Sequence, residues 1–144
     1  MKTRNQMRLS FPSKSCNESF ARGAISSFIT PLDPTINELN DLKTAVSEAV
    51  TNCIVHGYRR QSGTIYIYAS VKEDNTVTVK IRDKGVGIED INKAMEPLFT
   101  TAPEEERAGL GFAVMQSFCD KVRVKSEPKK GTTVTLIKRI GADG

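Results

Sequence analysis

The periodicities of this 144-residue chain predict an α+β fold, a two-layer sandwich with helices on one face of a mostly antiparallel sheet. Three observations carry the prediction. Apolar residues recur at helical spacing behind Ser15 and again behind Thr35. Strict alternation then runs through Ile65–Val71 and Val77–Ile81, two strands joined by the turn Glu73-Asp74-Asn75. It returns at Val122–Val124 and Val134–Leu136, after a further helical stretch. The order that results, β-α-α-β-β-α-loop-α-β-β, groups helices and strands in runs, and such runs form segregated layers.

Each element has a local reason. Met7, Leu9 and Phe11 alternate with Arg8 and Ser10 in a half-buried strand ended by Pro12. Ser15 and Glu18 have the form of a capping box, and Phe20, Ala21, Ala24, Ile25 and Phe28 make the stripe of the first helix. Arg22 falls on the opposite, wet side. Thr35 and Glu38 form a second capping box, opening a helix that runs to Gly57. Its core face is Leu42, Ala45, Val46, Ala49, Val50, Cys53 and Ile54. Asp83 shares the inward face of Val79 and Ile81. Asp90–Met95 is short and helical, and Phe112, Met115 and Cys119 line a last helix. Pro97–Ala108 has no usable periodicity, and a loop of that length in a compact domain is expected to be functional or disordered.

Composition narrows the class. A hydrophobic share of 38% suits a folded globule, and the length suits one domain, 1–144. No apolar run approaches the ~20 residues of a membrane span. The start, MKTRNQMRLSF, lacks the apolar stretch of a signal peptide. Cys16, Cys53 and Cys119 are scattered and the histidine is single, which argues against a disulfide scaffold or a transition-metal centre. A cytoplasmic setting is expected. The basic residues are dispersed along the sequence without an aromatic platform, so neither nucleic acid nor membrane is expected as a partner.

The chemistry concentrates at a few places. Glu48, Asn52 and His56 stand four apart, a row along the border of the long helix's core face. Asp83, in Asp-Lys-Gly-Val-Gly, is an inward carboxylate that needs strong donors, and Gly85 and Gly87 allow close backbone approach. Gly109-Leu110-Gly111 opens a helix, where free N–H groups favour phosphate. The P-loop pattern is absent and no Rossmann pattern follows a strand.

Glu48-x-x-x-Asn52, Asp83-x-Gly85-x-Gly87, Gly109-x-Gly111 and Gly131-Thr132, in that order, resemble the GHKL (Bergerat) ATP-binding fold of gyrases and histidine kinases. The stretches SEAVTN, HGY, RDKGVGI, PLFTT and GTTV are most similar to the small serine kinases that act as anti-sigma factors, in particular the anti-sigma F family of sporulating bacteria. The resemblance implies a protein that sequesters a sporulation sigma factor and uses ATP and Mg²⁺ to phosphorylate a serine of its anti-anti-sigma antagonist. It implies a homodimer as well. Glu48 would be the general base, Asn52 the Mg²⁺ ligand, and Asp83 the acceptor for the adenine 6-amino group, supported by Thr132. Gly87 would lie against the base. Thr100, Thr101 and Arg107 would belong to a lid, Arg107 neutralising terminal phosphate, with Gly109, Leu110 and Gly111 at the phosphates. His56 would be a structural hydrogen-bonder, and Arg22 in Glu-Ser-Phe-Ala-Arg would grip both protein partners. Two alternatives stand beside this reading: a non-catalytic module whose sigma-binding surface ATP merely shapes, and the related general-stress anti-sigma kinase.

Overall fold

The computed structural model describes residues 1–95 and 111–141. Five strands form one sheet in the order β1-β2-β3-β5-β4. They are β1 (Thr3–Pro12), β2 (Thr64–Lys72), β3 (Thr76–Asp83), β4 (Lys121–Glu127) and β5 (Gly131–Arg139). Every described pairing is antiparallel, so the sheet expected to be mostly antiparallel is so throughout its described ladders. Ile65, Ile67, Ala69 and Val71 of β2, and Val77, Val79 and Ile81 of β3, are all buried on one face, as the alternation requires. Asp83 closes that series on the same face, 4% exposed.

Helices α1 (Cys16–Ile29) and α2 (Ile36–Asn52) cover this face, with the shorter α3 (Ile91–Ala94) and α4 (Phe112–Phe118) beside them. The capping box at Thr35 is formed: the Glu38 N–H donates to Thr35 Oγ1 at 3.1 Å and the Thr35 N–H to Glu38 Oε1 at 2.9 Å. All seven apolar residues expected on the core face of α2 are buried. Burial of each large one contributes about 1.5–3 kcal/mol, which is what fixes the helix on the sheet.

Four details depart from the sequence reading. The box at Ser15 does not form, because the Glu18 carboxylate is taken by Ser47 Oγ–H of α2 and by Arg22 Nε at 3.1 Å. The buried stripe of α1 is Ala21, Ile25 and Ile29, while Phe20 is 51% exposed and meets the Phe11 ring edge-to-face. The long helix does not continue as an α-helix to Gly57. It changes at Cys53–Gly57 into a π turn, with the Tyr58 N–H on the Cys53 carbonyl at 2.8 Å. His56 therefore leaves the straight row that Glu48 and Asn52 keep. The basic residues, dispersed in sequence, gather in space: Arg8, Lys80, Arg82, Arg123 and Lys125 alternate with inward residues and are exposed on the face away from the helices. Alternation sends every second strand residue outward, which linear spacing alone does not show.

Candidate functional site

Helix α2 sets the first wall. Its core stripe is locked on the sheet, so the residues bordering the stripe have fixed positions. Glu48 is half-buried, and that burial pushes its carboxyl above the usual range. It lies against the start of α4. A Cβ on Gly111, which has φ +60°, would stand 2.3 Å from Glu48 Oε2. Only glycine both adopts that backbone and leaves the carboxylate its space.

One turn on, Asn52, Cys53 and His56 line a narrow cleft. Its opposite walls are apolar, Ile88, Phe112 and Val134, and its polar floor is Asp83 and Thr132. Those two residues are direct cross-strand partners on β3 and β5. The Asp83 carboxylate accepts the Gly85 N–H at 2.9 Å, together with the Thr132 N–H and the Cys53 thiol. Burial outweighs these donors and holds the Asp83 carboxyl above its ordinary value. The Cys53 thiol is pushed well up, first by burial and then by the charge of Asp83. Cys53 is therefore a donor here, not a nucleophile.

The backbone around Asp83 is tied to the π turn. Gly57 lies so close that a Cβ there would stand 2.7 Å from Asp83 Cγ and Oδ2. The Lys84 N–H donates to Tyr58 Oη at 2.8 Å, and Tyr58 Oη–H to the Thr64 carbonyl at 2.5 Å. The Val86 N–H donates to the Gly57 carbonyl at 2.9 Å. A Cβ on Gly85 would stand 2.0 Å from that same carbonyl oxygen, and Gly85 does not line the cleft. Gly87 does line it, at φ +76°, with its Cα against the Glu127 carbonyl.

Sequence reasoning placed Glu48, Asn52, Asp83, Gly87, Gly111 and Thr132, and the structure gathers all six around α2 and the cleft. Thr100, Thr101, Arg107, Gly109 and Leu110 lie outside the described residues. Arg22 is not at the cleft. It is half-buried at a groove between α1 and α2 with Asn40, Lys43 and Ser47, ion-paired to Glu18, so it does not stand on a fully wet side. Cys53, Gly57, Tyr58 and Ser126 were missed. Cys53 looked like one more core residue. Ser126 carried a legible signal, a polar residue in the inward phase after Val122 and Val124.

Comparison with known proteins decides the family. The profile of the histidine kinase-like ATPase domain matches residues 17–138. The anti-sigma F factors of Thermoanaerobacter sp. strain X514 and Thermoanaerobacter pseudethanolicus are each 57% identical over 143 residues, 99% of either chain. This chain belongs to the anti-sigma F family of histidine kinase-like ATPases. The anti-sigma F factor of Clostridium acetobutylicum is 52% identical over 135 residues, 94% of each chain. Among solved structures, the RsbU and RsbW domains of Rv1364c from Mycobacterium tuberculosis superpose with a TM-score of 0.70 at 20% identity, over 94% of this chain and 32% of that one. The SiaB–SiaC complex from Pseudomonas aeruginosa gives 0.62 at 12% identity, over 91% and 88%. Both show the fold. The family implies ATP as ligand, and the lining agrees in kind: apolar side chains for a ring and the Asp83 carboxylate as acceptor for an exocyclic amine.

Proposed function

We propose that this chain is an ATP-dependent protein serine kinase that holds a sigma factor of the sigma F type and phosphorylates a serine of an anti-anti-sigma protein. The arrangement on α2 supports this reading best. It carries Glu48 to the Gly111 backbone and, one turn on, walls the Asp83 cleft with Asn52 and Cys53. A base and a ring acceptor are thus held by elements packed on one another.

Bound ATP with Mg²⁺ supplies the transferable phosphoryl group. Asp83 accepts from the adenine amine, Thr132 adjoins it, and Gly85 and Gly87 keep the following backbone close. Asn52 gives its amide oxygen to the cation. Phosphate oxygens and water would be the other ligands, as is usual for Mg²⁺ held at a nucleotide. Glu48 takes the proton of the attacking serine hydroxyl, and its raised pKa makes it a stronger base at neutral pH. On the family resemblance, Thr100, Thr101, Gly109, Leu110 and Gly111 would be the residues that hold nucleotide and phosphates, and Arg107 would neutralise terminal phosphate.

Arg22 is the partner-binding residue. Its planar fork suits an acidic partner group, for which it would exchange Glu18. Two partners that both need Arg22 compete for one surface, which gives partner switching. A homodimer of single-domain chains in the cytoplasm completes the reading. The test is mass spectrometry of the anti-anti-sigma partner after incubation with this chain, ATP and Mg²⁺. Phosphoserine that disappears with Glu48→Gln supports the kinase. A partner left unmodified while ATP binds assigns the chain to the non-catalytic class.

A further inference from the structure

Ser126 sits on β4 beside the cleft without lining it, and its hydroxyl makes three contacts. The Ile88 N–H donates to its oxygen at 2.8 Å. Its oxygen lies 2.9 Å from the Gly131 carbonyl and 2.7 Å from Thr132 Oγ1. A serine hydroxyl has one proton and two lone pairs. The Ile88 contact uses a lone pair. If the Ser126 proton pointed at Thr132, the Ser126 oxygen and the Gly131 carbonyl would face each other without a proton between them. Only one assignment gives each contact its own proton: Ser126 donates to the Gly131 carbonyl, and Thr132 donates to Ser126.

We propose that Ser126 is a positioning residue that commits the Thr132 proton to β4, leaving Thr132 Oγ1 as a pure acceptor toward the cleft. This rests on the nucleotide reading and deepens it. Asp83, the cross-strand partner of Thr132, is also an acceptor once ionised. Two fixed acceptors on one floor match an exocyclic amine, which has two hydrogens to give. They reject a carbonyl oxygen, which brings only lone pairs. Asp83 alone would leave a free threonine hydroxyl able to turn round and donate to that carbonyl, weakening the discrimination. Ser126 removes that option.

The probe pair is ATP and inosine triphosphate, which differ at the purine 6-position, amine against oxo. Titration calorimetry with Mg²⁺ is run on the intact chain, Ser126→Ala, Ser126→Thr and Thr132→Val. The unsubstituted protein should prefer ATP. Ser126→Ala should lower the ATP-to-inosine-triphosphate affinity ratio by on the order of tenfold, as Thr132 becomes free to donate. Ser126→Thr should keep the ratio. A purely structural role would weaken both nucleotides equally, so an unchanged ratio in Ser126→Ala overturns the inference. Should Ser126→Ala not fold, Thr132→Val answers instead, since loss of a fixed acceptor must also lower the ratio and an unchanged ratio refutes the proposal. Failure of the unsubstituted protein to bind ATP would overturn the nucleotide reading itself, and the inference with it.

Discussion

Gly57→Ala tests whether the π turn and Asp83 are built as one unit. The new methyl would stand 2.7 Å from Asp83 Cγ and Oδ2 and 2.9 Å from Oδ1, against about 3.5–4.0 Å for ordinary contact. Asp83 has little room to retreat, being 4% exposed and held by the Gly85 N–H. Overpacking of this kind costs about 1–3 kcal/mol. Loss of a hydrogen bond to a charged group adds about 1.5–3 kcal/mol if the carboxylate is displaced. Alanine offsets about 0.5–1 kcal/mol of this through its better helical propensity. The net expectation is destabilisation by about 2 kcal/mol and ATP binding weakened by on the order of tenfold or more. The decisive measurement is a double-mutant cycle by urea denaturation. In an Asp83→Ala background the clashing atoms are gone, so Gly57→Ala should become neutral or slightly stabilising. Equal destabilisation in both backgrounds would refute the reasoning.

Other expectations follow from the same geometry. Glu48→Gln should lower phosphate transfer by roughly 10²–10⁴-fold and leave ATP affinity near normal, as read by single-turnover phosphorylation and calorimetry. Arg22→Ala should weaken both protein complexes by about 2 kcal/mol or more without changing ATP affinity, and normal titrations with both partners would show it to be a surface ion pair only. ATP affinity should be full where Asp83 is ionised and should fall as pH is lowered through its pKa. Because burial raises that pKa above the ordinary 3.8, the loss should begin at a higher pH than for an exposed carboxylate and vanish in Asp83→Asn. For folding the sign is opposite: the folded state holds the Asp83 proton more tightly, so Asp83 destabilises the protein as pH rises through that window. Thr35→Ala removes half of the capping box on α2 and should cost about 1 kcal/mol, seen as a lower Tm.

Much of the fold was legible because burial imposes a period. The run from Leu42 to Ile54 and the alternation from Val77 to Asp83 could be read directly, and both are buried as written. Asp83 stood out because a carboxylate in an inward phase needs an explanation. Competing partners were not legible. Ser15 and Glu18 satisfy the local pattern of a cap, yet Glu18 is drawn to Ser47 on another helix, twenty-nine positions away. The π turn was hidden because Cys53 and Ile54 continue the α spacing, and the extra residue shows in the Tyr58 N–H, which bonds back five residues to the Cys53 carbonyl. Phe20 was misplaced because helical spacing defines a stripe only to within a residue or so, and Phe11 gave it a partner at the margin.

The strand order has a consequence for how the protein comes into being. β5 lies between β3 and β4, so an interior place in the sheet is filled by the latest of the five described strands. A nascent chain ending before residue 131 has β3 with one open edge and lacks Thr132 beside Asp83. The floor of the cleft thus cannot be completed piecemeal during synthesis, because Asp83 meets Thr132 only once the β3–β5 ladder has closed. Contacts so distant in sequence favour slow closure, and ribosome-bound intermediates of this chain should expose the β3 edge until β5 has emerged.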